Sequence, residues 1–225
     1  MMSAALERSF AYAPPRYPAH LVASRRLADG INIVIRPIRP EDDAIERVFI
    51  NELSGDAAYN RLLSARRLTP EEIRHLTRID YDREMAFVAV IVDSGQARLL
   101  GVARYVRDTD ASGAEFAIVV ADTWQHKGVG TLLLSTLLRH AHSAGIGRLH
   151  GITLATNQAM HALARKLGFA RKQDPQDATV RQIEKPLAVG IAPLAVCAST
   201  AYRGSAAAND EEMVSCNPLL PPESV

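Results

Sequence analysis

The feature that most constrains the fold is a glycine-containing loop between a strand and a helix. An apolar strand is predicted over residues 114–120 and a leucine-rich helix over residues 129–144. The helix begins within the segment Gln125-His126-Lys127-Gly128-Val129-Gly130-Thr131. The first backbone N–H groups of a helix have no partner within it, and glycines let an anion approach them without hindrance from a Cβ atom. The segment therefore predicts a phosphate site at the start of this helix.

Two common phosphate-binding motifs do not fit this loop. A P-loop requires lysine after its second glycine, whereas Lys127 precedes both glycines. A dinucleotide-binding fingerprint requires a third glycine where this chain has Leu133. The remaining pattern, Gln-x-x-Gly-x-Gly between a strand and a helix, is also compatible with a tight turn that binds nothing.

The surrounding sequence predicts a mixed α/β domain over residues 31–187. Three consecutive strands are separated by short turns and indicate an antiparallel meander. Thr69-Pro70-Glu71-Glu72 has the cap, the proline and the acidic residues that are typical of a helix start. The predicted strands are residues 31–36, 85–92, 97–106, 114–120, 148–154 and 179–184; the predicted helices follow Asp43 and Thr69 and cover residues 129–144 and 157–167.

Outside this domain, residues 1–30 are interpreted as an extension that packs on the core or leads into it. Residues 188–225 lack sustained periodicity and are predicted to be a largely disordered tail. Both cysteines, Cys197 and Cys216, lie in that tail, so neither a disulfide framework nor a cysteine zinc site is indicated. With no apparent signal peptide, a cytoplasmic location is expected.

The charge balance limits the partners that the chain would bind. Lys and Arg number 26 and Asp and Glu number 25, so neither nucleic acid nor an anionic membrane is an expected partner. No apolar run approaches the roughly 20 residues of a membrane-spanning helix. His140 and His142 are two residues apart and diverge on a helix, so no metal site is expected.

With Asn157 and Lys166-Leu167-Gly168-Phe169, the loop resembles the GNAT superfamily of acyl-CoA-dependent N-acyltransferases over about residues 33–184. Three further strings are similar to the GNAT domain of Pat-type bacterial protein lysine acetyltransferases. These strings are Tyr17-Pro18-Ala19-His20-Leu21, Ile35-Arg36-Pro37-Ile38-Arg39-Pro40-Glu41-Asp42 and Ile79-Asp80-Tyr81-Asp82-Arg83-Glu84-Met85.

The resemblance implies a GNAT fold, with a splayed, mostly antiparallel sheet of about six to seven strands and about four helices. It also implies acetyl-CoA as co-substrate. Backbone amides of the loop would bind the CoA pyrophosphate, the preceding strand would pair with the pantetheine arm, and Asn157 would contact CoA near that arm. The implied cofactor-binding residues are Ile118, Val119, Val120, Gln125, His126, Lys127, Gly128, Val129, Gly130, Thr131 and Asn157.

Proton transfer is assigned to Glu115. An ammonium group cannot attack a thioester, so a base must generate the free amine, and a glutamate at the corresponding place serves as the base in the Pat-type family. The alternative is a structural ion pair between Glu115 and Arg104 or Arg107. A strand amide near Val119 or Val120 would stabilise the oxyanion.

The general acid departs from the common family pattern. Many GNAT enzymes have a tyrosine where this chain has Ala164. Either the thiolate then leaves without a tyrosine, or water or His161 protonates it.

These observations predict an acetyl-CoA-dependent N-acetyltransferase that modifies lysine side chains of proteins. Two alternatives stay open: acetylation of a small amine, and a non-catalytic acyl-CoA sensor. The sequence does not indicate the oligomeric state.

Overall fold

A computed structural model describes residues 16–54, 68–93, 95–110 and 112–187. These residues belong to the first of two compact units, Met1–Gly190; the second, Ile191–Val225, lies outside the described residues, as does the tail predicted from residue 188. Within the described ranges, no helix has both the length and the apolar character needed to cross a membrane.

The described chain forms one eight-stranded sheet. The strands are β1 (Ala23–Arg26), β2 (Asn32–Pro37), β3 (Glu84–Asp93), β4 (Gln96–Arg107), β5 (Ala114–Val120), β6 (Arg148–Leu154), β7 (Ala170–Gln173) and β8 (Val180–Pro186). Their order in the sheet is β1-β2-β3-β4-β5-β6-β8-β7. Neighbouring strands are antiparallel except β5 and β6, which are parallel.

Four α-helices are present among the described residues: α1 (Asp43–Glu52), α2 (Pro70–Thr77), α3 (Val129–Ser143) and α4 (Gln158–Lys166). The predicted cap of α2 is confirmed, because the Thr69 hydroxyl accepts from the Glu72 N–H and the Glu72 carboxylate accepts from the Thr69 N–H. Gly168 follows α4 with φ +74°, the left-handed conformation that ends many helices.

The sheet buries apolar side chains on both faces. On one face, α3 contributes Leu133, Leu134 and Leu137 to a large cluster with strand residues such as Phe87 and Phe116. On the opposite face, a second cluster includes Phe49 of α1 together with Val88, Val102 and Val119. Because both faces are covered, the centre of the sheet is a rigid support for the loop between β5 and α3.

The mixed α/β fold is confirmed, but the strand count exceeds the expected six to seven. The two additional strands are β1 and β7, which pair with β2 and β8 at opposite edges of the sheet. Part of the predicted N-terminal extension is therefore an edge strand. All the side chains of β7 are exposed, and those of β1 alternate between partly buried and exposed, so neither segment has a strong apolar pattern.

Candidate active site

The site is a cleft formed where β5 and β6 separate. Their parallel ladder comprises only two pairs, Ala114 with Leu149 and Glu115 with His150. Beyond these pairs lies a cavity of about 630 Å³, bounded by β5, the following loop, β6 and α4. Ten predicted site residues line it: Glu115, Ile118, Val119, Val120, Gln125, His126, Gly128, Gly130, Thr131 and Asn157.

The other two predicted residues do not place their side chains in the cleft. The Val129 side chain is fully buried in the core. The Lys127 ammonium lies 4.7 Å from the centre of the Trp124 ring, a cation–π contact at an exposed position. Trp124 itself packs against the core.

The loop presents unpaired backbone donors. Gly128 has φ +91°, and the first helical bond of α3 runs from the Leu132 N–H to the Gly128 carbonyl at 3.0 Å. The backbone N–H groups of residues 126–131 donate to no other residue that the structure describes. A Cβ atom at Gly128 would have no neighbour within 4 Å, so the space before these donors is open. The 15-residue helix adds the positive end of its dipole, and an anion is favoured here.

The backbone of β5 also offers unpaired groups to the cleft. The Ala121 N–H donates to the Leu100 carbonyl of β4 at 2.9 Å. Because successive residues of a strand alternate in direction, the amide of Val119 faces β4, whereas those of Ile118 and Val120 face the open side. The Val120 carbonyl there accepts from the Gln125 side-chain amide at 3.3 Å. Of the two amides predicted as oxyanion donors, this geometry favours Val120.

Glu115 lies at the end of the cleft where the two strands still pair. Its side chain is exposed and forms no ion pair with any described residue. Arg104 donates instead to the Leu76 carbonyl, and Arg107 donates to the carbonyls of Asp82 and Ala144. The structural ion pair considered as an alternative for Glu115 is therefore not observed.

Asn157 has two roles at once. Its side-chain oxygen accepts from the Met160 N–H at 3.0 Å and caps α4, while the residue also lines the cleft. His161, one turn further on, is buried with its Nε2 3.2 Å from the Ala155 carbonyl, and neither His161 nor Ala164 lines the cleft. The geometry thus gives His161 no support as a general acid.

Several lining residues were not predicted. Lys166 of α4 lies across the mouth of the cleft, with its ammonium 3.4 Å from the Thr131 hydroxyl. The sequence analysis included Lys166 in the string Lys166-Leu167-Gly168-Phe169. The string alone does not show that the lysine side chain points toward the cleft. The unpredicted apolar lining, Ile152, Met160, Leu163 and Ile183, depends on how α4 and β8 pack.

Among the described residues, no group of three or more His, Cys, Asp or Glu side chains could hold a metal ion. Burial raises the pKa of Tyr105 to about 12, so its hydroxyl stays protonated, and the hydroxyl oxygen is hydrogen-bonded to Nδ1 of His140 at 3.0 Å. His140 thus has a structural partner.

Comparison with known proteins identifies the family. The model of the acetyltransferase (GNAT) domain matches residues 32–170. The chain belongs to the GNAT acetyltransferase family. Acetyltransferase PA5475 of Pseudomonas aeruginosa is 36% identical over 154 residues, which are 68% of this chain and 83% of that protein. Acetyltransferase Pat of Mycolicibacterium smegmatis is 28% identical over 155 residues; the match spans 68% of this chain but only 45% of that longer protein.

Solved GNAT structures show the same architecture. The GNAT domain of S. lividans PAT superposes with a TM-score of 0.70 at 27% identity, covering 76% of this chain and all of that one. A ribosomal L7/L12 α-N-protein acetyltransferase, RimL, solved in complex with coenzyme A, shares the fold with a TM-score of 0.56 at 15% identity, covering 70% of this chain and 95% of its own. The chain is therefore a GNAT acetyltransferase, and this fold uses acetyl-CoA.

Proposed function

We propose that this GNAT acetyltransferase transfers the acetyl group of acetyl-CoA to lysine side chains of proteins, with Glu115 as the general base. One observation carries the proposal: the loop amides and the Glu115 carboxylate, which have no partner among the described residues, lie along one cavity of about 630 Å³. One end of the cavity can therefore bind an anion, and the other end carries a carboxylate that can act as the general base.

The proposed binding mode follows from the cleft. The CoA pyrophosphate accepts hydrogen bonds from the N–H groups of residues 128–131, and Lys166 adds a positive charge at the mouth. The pantetheine arm runs along β5, where the groups of Ile118 and Val120 face it. From Val120 to Glu115 an extended strand covers about 17 Å, so only a long ligand reaches from the loop to the base.

The proposed chemistry is a direct transfer without an enzyme-bound acetyl group. The Glu115 carboxylate takes a proton from the lysine ammonium, and the free amine attacks the thioester carbonyl. A β5 amide that faces the open side, Ile118 or Val120, donates to the developing oxyanion, and water carries the proton over the remaining distance to Glu115. When the C–S bond breaks, the second amine proton ends on the CoA sulfur. The first leaves through Glu115 and returns the base to its starting state.

The choice of protein lysine as acceptor is supported by the similarity to the Pat relatives and to the PAT domain. Acetylation of a small amine by the same cleft is the second candidate. A non-catalytic acyl-CoA sensor is less well supported, because such a protein has no need of an unpaired carboxylate at the end of the cleft.

The test is thiol release from acetyl-CoA with a panel of lysine peptides, proteins and small amines, followed by mass spectrometry of the acceptors. Modified protein lysines support the proposal, and modification confined to small amines contradicts the choice of acceptor. If acetyl-CoA binds but releases no thiol with any acceptor, the chain is a non-catalytic sensor.

Glu115→Gln tests the base. We expect kcat to fall by ~10²- to 10⁴-fold with nearly unchanged CoA affinity, because the amide cannot take the proton but keeps the shape of the side chain. Glu52→Gln, at an exposed carboxylate that pairs with Arg98, is the matched control and should leave turnover unchanged. Equal turnover of Glu115→Gln and the wild type would remove Glu115 as the base.

A further inference from the structure

A histidine–aspartate pair lies beside the proposed base and has no role in the scheme above. Nε2 of His150 is 2.9 Å from Oδ1 and 3.0 Å from Oδ2 of Asp108. Asp108 belongs to the turn between β4 and β5, and His150 lies on β6. Each side chain retains partial exposure, 32% for His150 and 21% for Asp108. The pair therefore lies at the protein surface, at the closed end of the β5–β6 ladder.

The aspartate determines which ring nitrogen of His150 is basic. An ionised carboxylate only accepts hydrogen bonds, so Nε2 must carry a proton to bond to Asp108. In the neutral ring the lone pair is then on Nδ1, which has no partner among the described residues. The same arrangement, a carboxylate that orients an imidazole and stabilises its protonated form, recurs in catalytic histidines.

The sheet register places this histidine next to Glu115. Glu115 and His150 are the last pair of the parallel ladder before β5 and β6 separate. Paired residues of adjacent strands lie about 4.8 Å apart and project from the same face of the sheet. Both residues therefore lie on the face opposite the buried Phe116 and Leu149, at the end of the cleft.

Charged groups from three neighbouring elements surround His150. Nη2 of Arg148 lies 3.9 Å from Oδ2 of Asp108. On β8, Glu184 is the register partner of His150; its ion pair with Lys172 lowers the pKa of Glu184, so it stays ionised. Glu115 completes the set from β5. His150 is thus close to three carboxylates and to Arg148.

We propose that His150, oriented by Asp108, relays the proton from Glu115 to solvent. This proposal rests on the proposed function. Glu115 gives the proton that it took from the lysine ammonium to Nδ1 of His150 through a water molecule, because the two side chains are not in direct contact; the imidazolium, paired with Asp108, then releases the Nδ1 proton to water or buffer. Each turnover passes one proton along this route, since the other amine proton remains on the CoA thiol. His150 and Asp108 are thus positioning and relay residues and do not contact the thioester.

Nuclear magnetic resonance of the ¹⁵N-labelled full chain, without any substrate, tests the geometry. Two-bond ¹H–¹⁵N correlations distinguish the two neutral tautomers of a histidine. We expect His150 to carry its proton on Nε2, and Asp108→Asn to mix the tautomers. Glu115→Gln should shift the Nδ1 resonance of His150, whereas the control Glu52→Gln should not. A proton on Nδ1, or a His150 ring insensitive to Glu115→Gln, would overturn the relay even if the enzyme proves inactive in every assay.

Kinetics test the role of the relay. We expect His150→Gln to lower kcat by ~10- to 10²-fold with an unchanged KM for acetyl-CoA, because the chemistry is intact but Glu115, once covered by CoA and the acceptor, loses its proton slowly without the relay. Added imidazole buffer should restore much of the lost turnover, which a purely structural defect would not allow. His142→Gln, an exposed position on α3, is the matched control. If wild type turns over and His150→Gln is unimpaired, or impaired but insensitive to buffer, the relay is wrong while the acetyltransferase proposal stands.

Discussion

At the scale of single residues, the two loop glycines serve different purposes. Gly128 needs its positive φ of +91°, a backbone conformation that side chains with a Cβ rarely adopt. Gly130 has no such requirement and lies in the first turn of α3. A Cβ there would be 3.5 Å from Leu163 and 3.6 Å from Val120, which is ordinary contact. The core therefore tolerates a methyl group at this position, and only a larger side chain would occupy the cleft.

Gly130→Leu tests this distinction. We expect CoA affinity to fall by more than ~10²-fold, or about 2.7 kcal/mol, because the side chain fills the space in front of the loop amides. Gly130→Ala should instead raise the free energy of unfolding by about 0.5–1 kcal/mol, since alanine favours a helix over glycine. Calorimetric titration with CoA and thermal unfolding of both variants measure the two effects. Undiminished CoA affinity of Gly130→Leu would place the pyrophosphate elsewhere.

The residues of the candidate site were predictable to different degrees. The loop glycines follow from local order along the chain, because a strand, a glycine-containing turn and a helix start are contiguous, whereas the role of Glu115 follows from the resemblance to the Pat-type family. The direction of the Val119 and Val120 amides depends on the register with β4, and the position of Lys166 depends on where α4 packs. Neither quantity is encoded within one segment, so the sequence alone did not determine them.

At the scale of elements, the cleft depends on the close approach of β5 and β6 at its closed end. A Cβ atom at Gly151 of β6 would lie 2.8 Å from the backbone oxygen of Phe116 in β5. Backbone atoms cannot move aside as a flexible side chain does, so glycine permits this contact. The strands approach here and diverge beyond it.

Gly151→Ala should therefore destabilise the fold and widen the closed end. We expect a loss of about 1–3 kcal/mol in the free energy of unfolding, as for other overpacked sites, together with weaker CoA binding. Ala89→Val, at a fully buried position of β3 away from the cleft, is the matched overpacking control. Denaturant unfolding and CoA titration measure both properties. CoA binding that weakens equally in the two variants, after correction for the folded fraction, would contradict a specific role of Gly151 in the cleft.

The turn between α2 and β3 depends on one carboxylate. Oδ1 of Asp80 accepts from the backbone N–H groups of Asp82, Arg83 and Glu84 at 2.8–3.0 Å. Burial alone would raise the pKa of Asp80, but these three bonds and the charge of Arg83 together hold it below its ordinary value. A lowered folded-state pKa means that the ionised group stabilises the fold above about pH 4, and that this contribution is lost as the pH falls through the folded-state pKa.

Asp80→Asn isolates that charge, because the amide oxygen can still accept the same bonds. We expect the variant to be less stable than wild type at pH 7 and the difference to shrink steadily as the pH falls from about 4 toward the lowered folded-state pKa. Urea unfolding of both proteins across this range provides the measurement. A stability difference that is constant with pH would show that the charge of Asp80 contributes nothing.

Most elements were predictable because their apolar periodicity is set by the core that they cover. The missed strands, β1 and β7, are four residues long and lie at the two edges of the sheet. An edge strand pairs on one side only and buries little, so its sequence need not alternate between apolar and polar residues. Their presence follows from available partners in β2 and β8, and not from their own composition.

At the scale of the whole molecule, the strings that resemble the Pat-type family come together away from the cleft. The Tyr81 hydroxyl donates to the Ile38 carbonyl at 2.8 Å, and the Tyr17 hydroxyl donates to the Pro37 carbonyl at 3.3 Å. The two tyrosine rings meet edge to face at 6.0 Å. None of these residues lines the cleft. The residues in these strings form contacts that stabilise the fold. For this reason the strings predict the fold more directly than they predict the residues of the site.

A buried ion pair anchors this framework. Both terminal nitrogens of Arg36 in β2 donate to Asp42 at 2.7 Å, and the side chains are only 8% and 6% exposed. Asp42 also accepts from the Arg39 N–H at 2.8 Å. The Asp42 carboxylate, through its bonds to Arg36 and to the Arg39 N–H, links β2 to the start of α1. The two parallel bonds to Arg36 satisfy both charges. If one partner is removed, the other is left as an uncompensated buried charge.

Asp42→Ala should therefore cost about 3–5 kcal/mol in the free energy of unfolding, a large share of the 5–15 kcal/mol typical of a folded protein. Glu52→Ala removes the exposed partner of Arg98, whose ion pair at 3.1 Å is 51% and 55% exposed, and should cost no more than about 1 kcal/mol. The double variant Arg36→Met with Asp42→Leu removes both charges and should recover much of the lost stability, because burying an unpaired charge is the dominant penalty. Denaturant unfolding of wild type, Arg36→Met, Asp42→Leu and the double variant gives the coupling energy, and Asp42→Ala and Glu52→Ala are unfolded alongside them. If Asp42→Ala is no worse than Glu52→Ala, or if the double variant is as unstable as the sum of its single changes, the pair does not act as a buried electrostatic unit.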